Sequence, residues 1–225
     1  MTSIAIVGAG PHLGLAIART FGSHGFDVAL ISRNRTRLHD LVGTLAAEDI
    51  TAAAFPADVL DREALTQALK RAATHFGGID VLEYSPLGEP DSTTLTTPAD
   101  TDPSHVQQEL EFQLYGAVTA TRAVLPAMRE AGTGTLLFTT SARSVDPQPP
   151  TANINAAAAA LRNWAINLHK ELAGTGTQAA HVGIDATIGT PTFYGQARVT
   201  ADQIARVHWD LHATHRDQAE HIFRG

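Results

Sequence analysis

The feature that most constrains this chain is an alternation. Short, apolar, β-branched runs take turns with longer helix-periodic stretches from the first residues to about position 185. Segments 2–7, 27–32, 51–55, 80–85, 135–140 and 179–185 read as strands, each apolar throughout, as strands covered on both faces must be. Segments 13–23, 36–48, 62–76, 105–131 and 152–173 read as helices, with Pro126 expected to kink or end the fourth. A further helix over 201–215 and a short last strand over 221–223 complete the series. Strand and helix in alternation imply right-handed βαβ units, hence a mostly parallel sheet of six to seven strands with helices on both faces. No linker or change of composition divides residues 1–225, so one domain is expected.

The first turn carries the first functional signal. Strand Ile4–Val7 runs into Gly8-Ala9-Gly10-Pro11-His12-Leu13-Gly14 and then a helix. A tight turn needs a glycine, a pyrophosphate needs backbone free of Cβ atoms, and the helix start offers free N–H groups and a positive dipole end. Gly8, Gly10, His12, Leu13 and Gly14 are therefore candidate phosphate contacts in a doubly wound fold of Rossmann type. At the end of the second strand, Ser32-Arg33-Asn34 stands where an acidic residue would bind ribose hydroxyls and repel a 2′-phosphate. Arg33 can grip such a phosphate and stack on adenine, so NADP(H) is expected over NAD(H).

These motifs resemble those of the short-chain dehydrogenase/reductase family along almost the whole chain. The family's glycine motif matches Gly8 and Gly14, with His12 in place of its middle glycine and Gly10 an extra one. Asp58-Val59 is similar to the family's Asp–Val pair, whose carboxylate meets the adenine amino group; the alternative for Asp58 is a cap on the third helix. Where the family has Asn-Asn-Ala-Gly, this chain has Glu83-Tyr84-Ser85-Pro86, which leaves Ser85 as a cofactor contact. Asp185-Ala186 stands near the family's Pro-Gly, with Thr190 near the Thr that follows.

The resemblance also implies an Asn, a Ser, an acid/base Tyr and a Lys that lowers its pKa, the last two at i, i+4 on one helix face. The run Gly134–Ser141 and the residues Ala159-Ala160-Leu161-Arg162 set the register. Ser141 falls on the Ser, Gln113 on the Asn, Ile154 on the Tyr and Ala158 on the Lys. No Tyr-x-x-x-Lys pair exists in the chain, and Lys170 lies twelve residues past Ala158, ~18 Å along a helix. Ser141 is thus the one remaining candidate catalytic group. Tyr84, Tyr115 and His12 are conceivable but weaker replacements.

Composition excludes more than it assigns. The net charge of −7 argues against nucleic acid and anionic membrane surfaces, and the absence of cysteine removes thiolate chemistry. The first residues lack the charge pattern of a signal peptide, and no run approaches the ~20 apolar residues of a spanning helix, so a cytoplasmic protein is expected. His208, His212 and His215 share one helix face, read as a polar or interface face rather than a metal site. The long irregular segment 86–103 is either a surface loop or a ligand cover, and 191–199 is brief for a substrate-covering element. By resemblance the long helices imply a homodimer or homotetramer acting on a small molecule. The expected function is an NADP(H)-dependent oxidoreductase with an atypical site; the alternative is a cofactor-binding regulatory or scaffold protein without turnover.

Overall fold

The computed structural model describes residues 2–86, 95–188 and 198–225. Along the chain run β1 (Ser3–Val7), α1 (Leu13–Ser23), β2 (Asp27–Ile31), α2 (Arg35–Ala46), β3 (Ala52–Ala54), α3 (Arg62–Phe76) and β4 (Val81–Tyr84). They are followed by α4 (Pro103–Leu110), a π-helical turn (Glu111–Tyr115), α5 (Gly116–Ala131), β5 (Gly134–Ser141), α6 (Ala152–Leu172) and β6 (Thr177–Ile184). The chain ends with β7 (Thr187–Ile188), β8 (Arg198–Val199), α7 (Ala201–Ala213) and β9 (Glu220–Phe223). Seven strands form one parallel sheet in the order β3-β2-β1-β4-β5-β6-β9, and β7 and β8 pair separately.

Alternate side chains of each strand feed two apolar layers. Ile4, Ile6, Val28, Leu30, Val81, Leu137 and Val182 pack under α1, α2 and α7. Ala5, Val7, Ile31, Leu82, Tyr84, Leu136 and Phe138 pack under α3, α5 and α6. This two-sided cover is why the strands read as continuous apolar runs. Helix starts follow their caps: Asn34 accepts from the Arg37 N–H, Asp61 from Ala64 and Thr200 from Gln203. The third helix is therefore capped by Asp61 and not by Asp58.

Three expectations need correction. The helix expected over 105–131 begins at Pro103, and it is interrupted by the π turn at 111–115. Pro126 neither ends it nor introduces a break in its assigned helix, because Pro126 and Arg122, whose carbonyl loses its partner, both lie on the exposed face where water can serve. The last helix stops at Ala213, two residues short of the expected end, and its histidines do not form a polar outer face. His208 is fully buried, with Nε2 2.8 Å from Thr139 Oγ1 and Nδ1 2.9 Å from the Ile204 carbonyl. His212 Nδ1 lies 2.9 Å from Thr135 Oγ1, beside the rings of Phe21, Phe26 and Trp209.

Candidate active site

Parallel register places every strand's carboxyl end on one edge. Val7 lies level with Ile31 and with Tyr84, Leu30 with Ala54, and Tyr84 with Phe138. Gly8–Gly14, Ser32–Asn34, Asp58-Val59, Ser85 and Ser141 follow those strand ends, so the fold brings the described candidates to a single crest. Thr190 lies outside the described residues, as do 87–94 of the long loop and 191–197 of the short segment.

The crest turns around Gly8. Its φ of +102° is left-handed territory, and a Cβ there would stand 2.5 Å from the Pro86 nitrogen. The β1–α1 turn is thereby pressed against the end of β4. Gly8 and Ala9 both donate their N–H to the Ile31 carbonyl, and a Cβ at Gly14 would lie 3.0 Å from the Ala9 Cα. His12 precedes the helix at φ −106°, exposed and without a capping bond, whereas a Cβ at Gly10 would meet only the Gly8 carbonyl, at an ordinary 3.8 Å. Leu15 and Ala16 donate back to Gly10 and His12, while the amides of Leu13 and Gly14 have no backbone acceptor among the described residues. That is the donor set a phosphate uses at a helix start.

Arg33 is exposed at the end of β2, followed by exposed Arg35 and Arg37. Ser32 holds the Ala57 N–H through its carbonyl, and its buried hydroxyl has no protein partner. The Asn34 side chain is committed to capping α2. Asp58 accepts from the Leu60 N–H, and Val59 is buried. This set of donors, with a cation and no carboxylate at the β2 end, fits a dinucleotide bearing a 2′-phosphate.

At the chemical end, Ser141 is exposed, its Oγ accepting from the Arg143 N–H at 3.3 Å. The Arg143 guanidinium spans to Asp185 at 3.5 Å. Gln113, in the π turn, donates to Glu109 at 3.0 Å and to the Ile154 carbonyl at 3.4 Å. Ile154 and Ala158 lie one turn apart near the start of α6, Ala158 buried against the core. Lys170 is exposed near the far end of α6. Of the possible replacement acids, Tyr84 is buried, donating to the Phe112 carbonyl at 2.6 Å, and burial together with the Asp58 charge raises its pKa above the ordinary phenol value. Tyr115 lies under the Arg62 guanidinium, 5.3 Å from its ring centre. Both phenols are held by structural contacts.

Sequence reasoning missed a buried polar string behind this crest. Glu83 occupies the apolar β4 with no exposed surface. Its carboxyl meets Ser85 Oγ at 2.9 Å and Thr139 Oγ1 at 3.0 Å, and His208 Nε2 stands 3.8 Å away. Burial pushes the Glu83 pKa up to about 8, opposed by the two hydroxyls. Burial likewise lowers His208 to about 4, against the Ile204 carbonyl that favours its protonation and with the charge of His221 adding to the fall. Burial thus works against the ion pair that a 3.8 Å separation suggests, because neither ion is repaid for leaving water. The available signal was a lone carboxylate inside an apolar strand run.

A second string ties the sheet's last strand to α6. Buried His181 bridges Thr140 Oγ1 at 2.8 Å and Glu220 at 3.0 Å, and Glu220 receives two hydrogen bonds from Arg162.

The architecture and the crest define a dinucleotide-binding α/β protein. The family model described as short chain dehydrogenase matches residues 2–193. The chain belongs to this family and is an oxidoreductase of the short-chain type. It is 29% identical over 190 residues to an uncharacterized oxidoreductase of Staphylococcus aureus, covering 84% of this chain and 80% of the relative. Among solved structures, L-sorbose reductase of Gluconobacter frateurii, complexed with NADPH and L-sorbose, matches with a TM-score of 0.85 at 20% identity, over 99% of this chain and 94% of that one. A short-chain dehydrogenase of Rhodopseudomonas palustris matches with a TM-score of 0.84 at 22% identity, over 100% and 98%. These structural likenesses bear on the fold. No helix among the described residues is long and apolar enough to cross a membrane.

Proposed function

We propose that this chain is an NADP(H)-dependent oxidoreductase whose site works without the family's Tyr–Lys pair. The carrying observation is the β2 end, where exposed Arg33 stands in place of an acidic residue, beside a glycine turn that leaves two helix amides free. The Gly8–Gly14 turn would hold the pyrophosphate, Ser32, Arg33 and Asn34 the phosphorylated ribose, Asp58 and Val59 the adenine, and Ser85 and Thr190 the nicotinamide side. When bound, the cofactor supplies or accepts a hydride. Ser141 orients the substrate's oxygen by donating a hydrogen bond. Its hydroxyl lacks a neighbouring base and so cannot itself replace an acid/base Tyr. The chain acts as a homodimer or homotetramer, assembled through α5 and α6 as in the family it belongs to.

Calorimetric titration with NADPH and NADH tests the cofactor. NADPH binds more tightly, and Arg33→Ala removes the preference. Equal affinities in the native chain contradict the reading. A second reading, a cofactor-binding regulatory or scaffold protein without turnover, is favoured by Ile154 and Ala158 at the Tyr and Lys positions. It predicts nucleotide binding with no cofactor oxidation against any carbonyl.

A further inference from the structure

We propose that Ser85 and Glu83 form a proton-donating pair, in which Glu83 stores the proton inside the sheet and Ser85 passes it to the substrate's oxygen at the crest. The inference rests on the oxidoreductase reading and supplies the proton that Ile154 and Ala158 cannot.

Hydrogen-bond counting allows two states of the string: an imidazolium donating through Thr139 to a Glu83 carboxylate, or a neutral His208 with Glu83 protonated. With neither group exposed to water, burial favours the neutral one. In that state Nδ1, facing the Ile204 carbonyl, which only accepts, carries the ring's one proton and Nε2 is an acceptor. Thr139 then gives its one hydroxyl proton to His208 Nε2, and its oxygen must accept from Glu83. A carboxylate cannot donate; a carboxylic acid can. Ser85 donates to the other carboxyl oxygen, and every polar atom of the string is satisfied with Glu83 neutral and protonated. The raised Glu83 pKa of about 8 agrees with this count. A buried acid with that affinity is matched to proton delivery near neutral pH, where an unassisted serine hydroxyl is far too weak an acid.

Position gives the string an outlet. Glu83 and His208 are shut inside the layer under α1 and α7, whereas Thr139 and Ser85 are half-buried, and Ser85 follows the last residue of β4. It lies beside the β1–β4 switch of the strand order, where open α/β sheets take their ligands, with Ser141 at the end of the neighbouring strand. Ser85 therefore connects the store to the crest.

A bound nicotinamide dinucleotide would supply the hydride, two electrons and a hydrogen, for a carbonyl carbon, which leaves the carbonyl oxygen in need of one proton. That proton leaves Ser85 Oγ, which takes the proton of Glu83. Redirecting the Glu83 proton from Thr139 to Ser85 exchanges one hydrogen bond for another. Glu83 ends as a carboxylate accepting from Ser85, with the Thr139 hydroxyl proton still on the His208 side, and it regains a proton from solvent through Ser85 once the product leaves. Ser85 is the group that meets the substrate; Glu83 acts through it. His208 on α7 faces the carboxyl, and His221 on β9 acts on His208 in turn.

Infrared spectroscopy of the protein without cofactor tests the pair independently of turnover. A protonated-carboxyl stretch that titrates near pH 8, disappears in Glu83→Gln and shifts in Ser85→Ala is expected. Transfer into D2O should shift that band rapidly in the native chain and at least about tenfold more slowly in Ser85→Ala. No such band at pH 7, or equal exchange in both proteins, overturns the proposal. In turnover, NADPH-dependent reduction of a 1,2-diketone should fall above about pH 8, and Ser85→Ala should lower kcat at least about tenfold with KM little changed. An unchanged kcat in Ser85→Ala overturns the catalytic part. Native protein that shows the infrared signature yet reduces no carbonyl would count against the oxidoreductase reading and against Ser85 as donor, while leaving Glu83 as a proton store.

Discussion

Gln113 donates its side-chain amide to the Ile154 carbonyl at 3.4 Å, so the π turn and the first turn of α6 face each other across the candidate site. These two residues fall at the family's Asn and Tyr positions in the sequence register, and the fold sets them side by side. Gly116 explains the approach from the other side: a Cβ there would lie 2.0 Å from the Tyr84 hydroxyl, which anchors the π turn through Phe112. Gly116→Ala should therefore disturb Gln113 without touching it. A melting curve would show a loss of stability of about 1–3 kcal/mol, the usual range for overpacking a core; a melting point unchanged from native would contradict the contact.

Gly8→Ala combines a disfavoured φ with a backbone clash at Pro86. A loss of about 2 kcal/mol or more is expected, together with loss of detectable NADPH binding in a titration. Gly10→Ala would place its Cβ in ordinary contact, 3.8 Å from the Gly8 carbonyl, with no left-handed φ, and should cost less in stability. Equal effects at the two glycines would show that Gly8 does not shape the turn.

Much of this is legible in the amino-acid sequence. Strands buried on both faces announce themselves as apolar runs, and the glycine turn and Arg33 follow from what a phosphate needs of a backbone and a side chain. The Asp58 alternative is settled only by geometry, since Asp58 and Asp61 are both plausible caps in sequence. The π turn is not legible, because the bond that meets it, from Tyr84 to the Phe112 carbonyl, is a tertiary one. Nor is the Glu83 string: its members lie on β4, β5 and α7, and only the sheet order brings them together.

Stability should depend on pH from both sides. Burial lowers His181, His208 and His212 to about 4, below the ordinary imidazole value of 6.5. The unfolded chain binds more protons between these values, so stability is lost as pH falls from about 6.5 towards 4. Glu83 is shifted the other way, from 4.5 up to about 8, so the folded chain holds the extra proton and stability is lost as pH rises through that window. The histidines dominate below pH 6.5 and Glu83 above it, which places the maximum near pH 6.5. Denaturant unfolding of native protein and of Glu83→Gln across about pH 4–9 checks this: the variant should lose the alkaline slope and keep the acid one.

The Arg162–Glu220–His181 string predicts unequal ion pairs. Glu220→Ala strands a buried imidazole and a half-buried guanidinium and should cost about 2–3 kcal/mol. Arg129→Ala breaks an exposed pair with Glu171 and should cost about 0–1 kcal/mol. Thermal unfolding of the two variants decides it; similar losses would refute the distinction.

Steady-state NADPH oxidation with a simple ketone tests the central claim, that the chain is a reductase scaffold without the Tyr–Lys relay. It compares the native chain with Ile154→Tyr combined with Ala158→Lys, after a melting curve confirms that the variant is folded despite the burial of Ala158. The Ser85–Glu83 pair has no lysine beside it to stabilise the donor's anion, so the native rate should be lower than the variant's, by up to the about 10²–10⁴-fold that positioned acid/base catalysis contributes. A native chain that reduces simple ketones as fast as the folded double variant would contradict the account.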